Sequence, residues 1–169
     1  MRILFFILAC TISATAAAQH IAPALNLARE ARAAQAAHVP LLVFYTQPGC
    51  TYCERARRDY LEPMIADPGQ REHQRVVEVD ITSDAPLTDF AGRKTTPAKF
   101  ADANHIRVVP TIAFVGGRGE SLAEPLVGLT LPDFYAIYLD RRIEQARDKL
   151  ARALTSRQPG LAPSATGGG

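Results

Sequence analysis

The stretch LLVFYTQPGCTYC, residues 41–53, decides the fold. Leu41 to Tyr45 form an unbroken apolar run, too short for a helix and bounded by Pro40 and by Pro48-Gly49, which is the pattern of a fully buried strand. Helical spacing takes over immediately: Tyr52, Ala56, Tyr60 and Met64 recur along one line with Arg55, Arg57, Arg58 and Asp59 between them, until Pro63 and Pro68-Gly69 close the element. Cys50 and Cys53 therefore fall at the junction of a buried strand and a helix N-terminus.

Outward from this junction, strands and helices alternate. Upstream, Pro23 to His38 is Ala-rich with Arg29, Glu30 and Arg32 interspersed, and Leu25 and Ala28 share a face, so an amphipathic helix is expected to end before Pro40. Downstream, the β-branched run Arg75 to Ile81 predicts a second, parallel strand, followed by a loop containing Pro86 and Gly92. Thr96 as N-cap with Pro97 in the first turn predicts a short helix through Phe100 and Ala103. Val108 to Val115 then predicts a strand opening at Pro110. Gly116-Gly117-Arg118-Gly119 is a hairpin turn, and Leu122 to Leu129 is its antiparallel partner, which makes the sheet mixed. Thr130 and Asp133 approximate a capping box ahead of a last helix, with Phe134, Ile137, Tyr138, Ile143 and Leu150 as the stripe expected to pack on the sheet. The order of elements is that of an α/β domain with helices on both faces of one sheet.

Both ends of the chain read differently. Met1-Arg2, the apolar run Ile3 to Ala9 and the small residues ending Ala16-Ala17-Ala18 have the layout of a secretory signal cleaved after Ala18. An uncleaved anchor fits less well, because the run falls short of the ~20 apolar residues of a spanning helix. A lipoprotein signal at Ile7-Leu8-Ala9-Cys10 is the other alternative. Thr155 to Gly169 holds Pro159, Gly160, Pro163 and three final glycines, and is expected to be disordered. The boundaries are thus a signal at 1–18, one domain at 19–154 and a tail at 155–169.

Composition narrows the function. With 47% hydrophobic and 21% charged residues in 169, one core is affordable and a second is not. Lys and Arg number 19 against 17 Asp and Glu, a net charge of +2, too balanced to supply the field that nucleic acid or an anionic membrane requires. Export would place the mature chain in an oxidising compartment. Cleavage after Ala18 would also remove Cys10 and leave Cys50 and Cys53 as the only cysteines of three.

A C-x-x-C between a buried strand and a helix has the context of a redox motif. Two intervening residues at a helix start bring the sulfurs within disulfide reach, and the unpaired N–H groups there carry about half a positive charge. That field favours a thiolate on Cys50, lowering a free-thiol pKa of about 8.5 toward neutrality. Cys53, a turn further in, is expected to be the resolving thiol. Tyr52 should lie at the motif's exposed edge and, with Thr51, meet substrate, whereas Tyr45 is expected to be a core aromatic. Structural zinc, the competing reading, wants four N or S ligands, and His73 and His105 lack finger-like spacing from the cysteines. No metal or cofactor is expected.

The FYTQPGCTYC segment, the VVPT segment, the Gly-Gly turn and the terminal helix follow the order found in thioredoxin-like proteins, and the chain resembles that family over about residues 38–150. It is most similar to small exported thioredoxins found beside sulfur-oxidation genes. The resemblance implies a thioredoxin-like fold with an extra N-terminal helix, a cis-proline at Pro110 lying against the disulfide, and Val109 as the residue whose backbone pairs with substrate. Two departures stand out: Gly49 replaces the family's tryptophan, and Phe44 replaces a buried acid that relays the resolving cysteine's proton. Water, Glu54 or Glu78 are the candidate substitutes, with a solvated carboxylate the plainer reading of each glutamate. Arg55, Arg57 and Arg58 have two readings, helping to hold a thiolate or forming the solvated face of their helix, and the solvated face is the one expected; none of the histidines pairs with a motif.

The function expected is a periplasmic reductase of protein disulfides, acting as a monomer on disulfide-containing or dithiol proteins, with a membrane thiol donor as the electron source the resemblance implies. No appended dimerisation domain and no long helical insertion are present in this sequence, which favours a reductase. A disulfide oxidase or isomerase and a non-catalytic thioredoxin-fold binding module are the alternatives.

Overall fold

The computed structural model describes residues 20–129 and 132–156. The expected signal, Cys10, Thr130 of the expected capping box and the tail beyond Ser156 lie outside the described residues. Six helices and six strands are seen among the described residues: α1 (Leu27–Ala36), β1 (Leu41–Thr46), α2 (Thr51–Ala56) running through a π-helical turn (Arg57–Leu61) into α3 (Glu62–Ala66), α4 (Pro68–Arg71), β2 (Arg75–Asp80), β3 (Leu87–Thr88), β4 (Lys94–Thr95), α5 (Pro97–Ala103), β5 (Thr111–Val115), β6 (Ser121–Val127) and α6 (Pro132–Thr155). The last helix thus takes in Thr155, the first residue of the expected tail.

The sheet has the order β2-β1-β5-β6. β1 lies parallel to β2 and antiparallel to β5, which pairs antiparallel with β6. As the apolar run implies, every residue of β1 is buried. Alternate β1 side chains serve two cores. Leu42 and Phe44 join Ile112 and Phe114 in a cluster under α2, α3 and α6, while Leu41, Val43 and Tyr45 join Val77 and Val79 in a cluster under α1 and α5. The result is a three-layer α/β domain, helices over both faces of a mixed sheet.

Three expectations change in detail. The leading helix starts at Leu27, where Asn26 caps it by accepting the Arg29 N–H at 2.9 Å. Leu25 therefore precedes the helix and is 62% exposed, while Leu27, Ala28, Ala31 and Ala34 form its buried face. Between Pro86 and Gly92 the expected loop contains the start of a small antiparallel hairpin, β3 with β4, tied down by buried Asp89, which accepts from the Arg93 backbone and guanidinium at 2.8 and 2.7 Å.

The stripe of α6 is the largest change. Tyr135, Leu139, Ile143, Ala146 and Leu150 face the sheet, whereas Phe134, Ile137 and Tyr138 are exposed. Both sets satisfy a 3.6-residue period, so the pattern alone leaves the helix's roll open. Packing resolves it: the Tyr135 ring meets Tyr60 of the π-turn, centroids 4.7 Å apart.

Candidate active site

β1 carries the chain to Thr46 at one end of the sheet, and Gln47-Pro48-Gly49 turns it into α2, with the Cys50 N–H reaching the Gln47 carbonyl at 3.4 Å. Gly49 takes φ +73 with open space where a Cβ would stand, so backbone conformation rather than crowding is what calls for glycine.

Cys50 is the N-cap of α2. Its backbone is extended, φ −83 and ψ 99, and its Sγ accepts the Cys53 N–H at 3.1 Å, the bond that a serine or aspartate oxygen makes at an ordinary helix start. Its carbonyl accepts the Glu54 N–H at 3.0 Å. The two sulfurs are joined in a disulfide, with the Cα atoms 5.2 Å apart. Exposure separates them: Cys50 is half-buried and Cys53 is 0% exposed. Thr51 and Tyr52 lie on the rim, and Tyr52 is 60% exposed.

The other wall comes from the start of β5. The Val109–Pro110 peptide bond is cis. Pro110 is fully buried, Val109 is half-buried against both cores, and Val108 is exposed. The turn is held from two sides, by the Thr111 hydroxyl donating to the Val108 carbonyl at 2.7 Å and by the Gly128 N–H donating to the Pro110 carbonyl at 2.7 Å. Because Thr111 pairs with Tyr45 near the end of β1, the proline turn and the cysteines share one end of the sheet, and Cys50 and Val109 pack on the same core. Thus Cys50, Cys53, Thr51, Tyr52, Val109 and Pro110 all lie at this end.

One turn beyond Cys53, one of the three arginines expected on the solvated face departs from it. Arg55 and Arg58 are indeed solvent-facing and pair with Asp59. Arg57 turns inward instead: its side chain is 17% exposed, its guanidinium sits 5.6 Å from the centroid of the Phe44 ring, and it donates to Glu78 from Nη2 at 2.7 Å and from Nε at 3.2 Å. It also binds Glu54 through Nη1. Burial pulls the Arg57 guanidinium toward losing its proton, but the bonds and charges of Glu54 and Glu78 outweigh this and hold it more firmly charged than usual. Glu78, 20% exposed, is correspondingly no freely solvated carboxylate. A sequence signal existed for each. Glu78 alternates with core residues Val77 and Val79 in a strand under the helix, and Arg57 stands one turn after Cys53.

Two further polar groups face this core. The Thr46 hydroxyl and the Tyr135 phenol are buried with no hydrogen-bond partner among the described residues, and burial drives the Tyr135 phenol well above its ordinary range. Tyr45 belongs to the opposite core, stacked at 6.5 Å from Phe100. His38 and His105 serve as turn residues with φ 58 and 57, and His20 lies 3.2 Å from Glu62 on the surface. Among the described residues, no three His, Cys, Asp or Glu side chains are grouped so as to hold a metal ion.

This architecture matches known proteins. The family model of the thioredoxin-like domain matches residues 27–143. No curated protein matches the chain. Among solved structures, the DsbH oxidoreductase is 17% identical, with 78% of this chain and 88% of that chain covered at a TM-score of 0.53. The periplasmic thioredoxin SoxS from Paracoccus pantotrophus is 23% identical over 63% of this chain and 98% of that one, with a TM-score of 0.43. Mitochondrial thioredoxin 3 from Saccharomyces cerevisiae is 16% identical over 73% and 93%, with a TM-score of 0.48. A C-x-x-C disulfide at the junction of a central strand and a helix, within a domain matched across most of its length, is the constellation of a thiol-disulfide oxidoreductase, and the chain belongs to the thioredoxin-like domain family.

Proposed function

We propose that the protein is an exported reductase of protein disulfides, with Cys50 as nucleophile and Cys53 as resolving thiol. The observation that carries the role assignment is the asymmetry of the pair. Cys50 Sγ occupies the N-cap and accepts an amide N–H at 3.1 Å, while Cys53 is wholly buried one turn inside. A sulfur held there is ionised readily, because the helix start and the amide stabilise negative charge.

The reaction then follows. The Cys50 thiolate attacks one sulfur of a substrate disulfide, forming a mixed disulfide and expelling a substrate thiolate, which takes a proton from solvent. The Cys53 thiol loses its proton and attacks Cys50 Sγ, forming the Cys50–Cys53 bond and releasing the second substrate thiolate. The substrate gains two electrons and the dithiol loses two. Thr51, Tyr52 and Val109 form the rim that a protein substrate would contact, with Pro110 behind them. Restoring the dithiol needs an external dithiol donor, and a membrane thiol carrier is the class we assign.

Export rests on residues 1–18, read as a cleaved signal preceding a monomeric domain at 19–154. No helix among the described residues is long and apolar enough to cross a membrane. Cys50→Ser is expected to abolish reduction of insulin, and Cys53→Ser to accumulate a mixed disulfide with it; sustained turnover by Cys50→Ser would overturn the assignment. Equilibration with glutathione buffers reports direction. A value near the −270 mV of thioredoxin supports a reductase, and one near the −120 mV of the strongest periplasmic oxidant points to an oxidase, both figures approximate.

A further inference from the structure

Resolution requires a thiolate on Cys53, yet Cys53 is 0% exposed, and burial disfavours the charged form of a thiol. The charges around it therefore govern how readily it ionises. On its own helix, Glu54 follows it directly, and Arg57 stands one turn on, its backbone N–H bonded to the Cys53 carbonyl. Side chains so spaced are neighbours, with Cβ atoms about 5–6 Å apart.

The facing strand contributes Glu78. It is in register with Phe44 on the parallel pair β1–β2, and paired side chains of adjacent strands lie on one face. That face carries Phe44, Val76 and, across the layer, Cys53, whereas Val77 and Val79 belong to the other core. Asp80, the next β2 residue on the same face, is engaged by the Thr82 N–H and hydroxyl at 2.9 and 2.7 Å. α6 and the π-turn bring the Tyr135 and Tyr60 phenols, the segment before α1 brings exposed His20 beside Glu62, and Arg107 ahead of the proline turn is paired with Asp102 on the surface.

Half-buried ion pairs contribute little net stability compared with apolar packing of similar volume. Hydrocarbon is compatible with this face, since Val76 occupies it two residues earlier on β2. A guanidinium laid on Phe44 and clamped by two carboxylates must therefore be judged by its field. We propose that Arg57, held in place by Glu54 and Glu78, is a positioning residue that sets the ionisation of the Cys53 thiol. The inference rests on Cys53 being the resolving cysteine. The group carries two negative charges and one positive, so the prediction has a sign: loss of the cation disfavours the thiolate, and loss of either carboxylate favours it.

The test uses a Cys10→Ser, Cys50→Ser chain, in which Cys53 is the one remaining cysteine of three. Its pKa is read from ultraviolet thiolate absorbance against pH. Arg57→Gln should raise it by about one unit and Glu78→Gln should lower it by about one, the scale of a single charge nearby. Glu54→Gln should lower it by less, because that carboxylate is 62% exposed. Arg57→Lys, which keeps the charge, should stay closer to the parent than Arg57→Gln. A purely structural cluster would not move the thiol in opposite directions. The proposal is overturned if Arg57→Gln leaves the pKa unchanged or lower, or if either glutamate variant raises it. Should Arg57→Gln not fold, Glu54→Gln, a surface change, decides by its downward shift. Failure of the unsubstituted chain, with both Cys50 and Cys53 in place, to reduce insulin would instead strike at the reading of the dithiol itself and leave these shifts intact.

Discussion

The two faces of the central sheet are built from the same strands and differ in what they tolerate. Toward α1 and α5, the core is Leu, Val, Ala and Phe apart from the Tyr45 ring. Toward α2 and α6, an equally apolar base of Leu42, Phe44, Ile112 and Phe114 carries Cys53, the Arg57–Glu78 pair and two buried hydroxyls with no hydrogen-bond partner among the described residues. Buried polar groups of this kind cost stability unless fully satisfied. One face thus supplies stability and the other carries the chemistry, and a mutation on the first should be felt in denaturation but not in catalysis per folded molecule.

Phe100→Ala breaks this comparison most severely if the division is wrong. Phe100 is 7% exposed and bridges Tyr45 at 6.5 Å and Phe90 at 5.8 Å, so truncation should cost about 3–5 kcal/mol in urea denaturation. Turnover of insulin, corrected for the folded fraction, should not change. A fall in corrected turnover would mean that the two cores are mechanically coupled through β1.

Asp89→Asn probes the same side with a smaller effect. Burial pushes the Asp89 carboxyl up, but the Arg93 backbone N–H, the Arg93 guanidinium and the Ala91 N–H more than offset this and hold it below the ordinary carboxylate range. A depressed folded pKa means that Asp89 stabilises the fold above its unfolded value of about 3.9 and ceases to do so as pH falls through the folded one. The variant should therefore be less stable by about 1.5–3 kcal/mol at neutral pH, the worth of hydrogen bonds to a charged group. That gap should close progressively below about pH 4. A gap that persists in acid would assign the loss to packing of the β3–β4 hairpin.

What could be read in advance follows the same division. β1, the turn at Pro48-Gly49 and the placement of both cysteines were legible because a continuous apolar run bounded by prolines has few alternatives. Thr96 and Pro97 were legible as a local cap, and Thr96 does accept the Lys99 N–H at 3.3 Å. The roll of α6 was not, since residues 134 to 139 offer apolar side chains to more than one face and only contact with Tyr60 selects Tyr135. Nor was the β3–β4 hairpin, whose strands of two residues are too short to show a period. The Arg57–Glu78 pair joins positions 21 apart in sequence, and the partnership becomes visible only once β1 and β2 are in register.

Thr46→Val is the finest probe of the redox face. Thr46 ends β1 with its side chain on the Phe44 side, 2% exposed, and its hydroxyl has no hydrogen-bond partner among the described residues of the disulfide form. Valine keeps the shape and the strand preference of threonine and removes the unsatisfied group, so the oxidised protein should gain about 1 kcal/mol. Measuring the same substitution on the reduced protein shows whether the hydroxyl is inert. Equal gains leave the reduction potential where it was and make Thr46 a cost of the scaffold. A smaller gain in the reduced form means that the hydroxyl binds a sulfur once the disulfide opens. Because stability and redox equilibrium form one thermodynamic cycle, the variant's potential must then fall, by about 30 mV for each 1.4 kcal/mol of difference between the two gains.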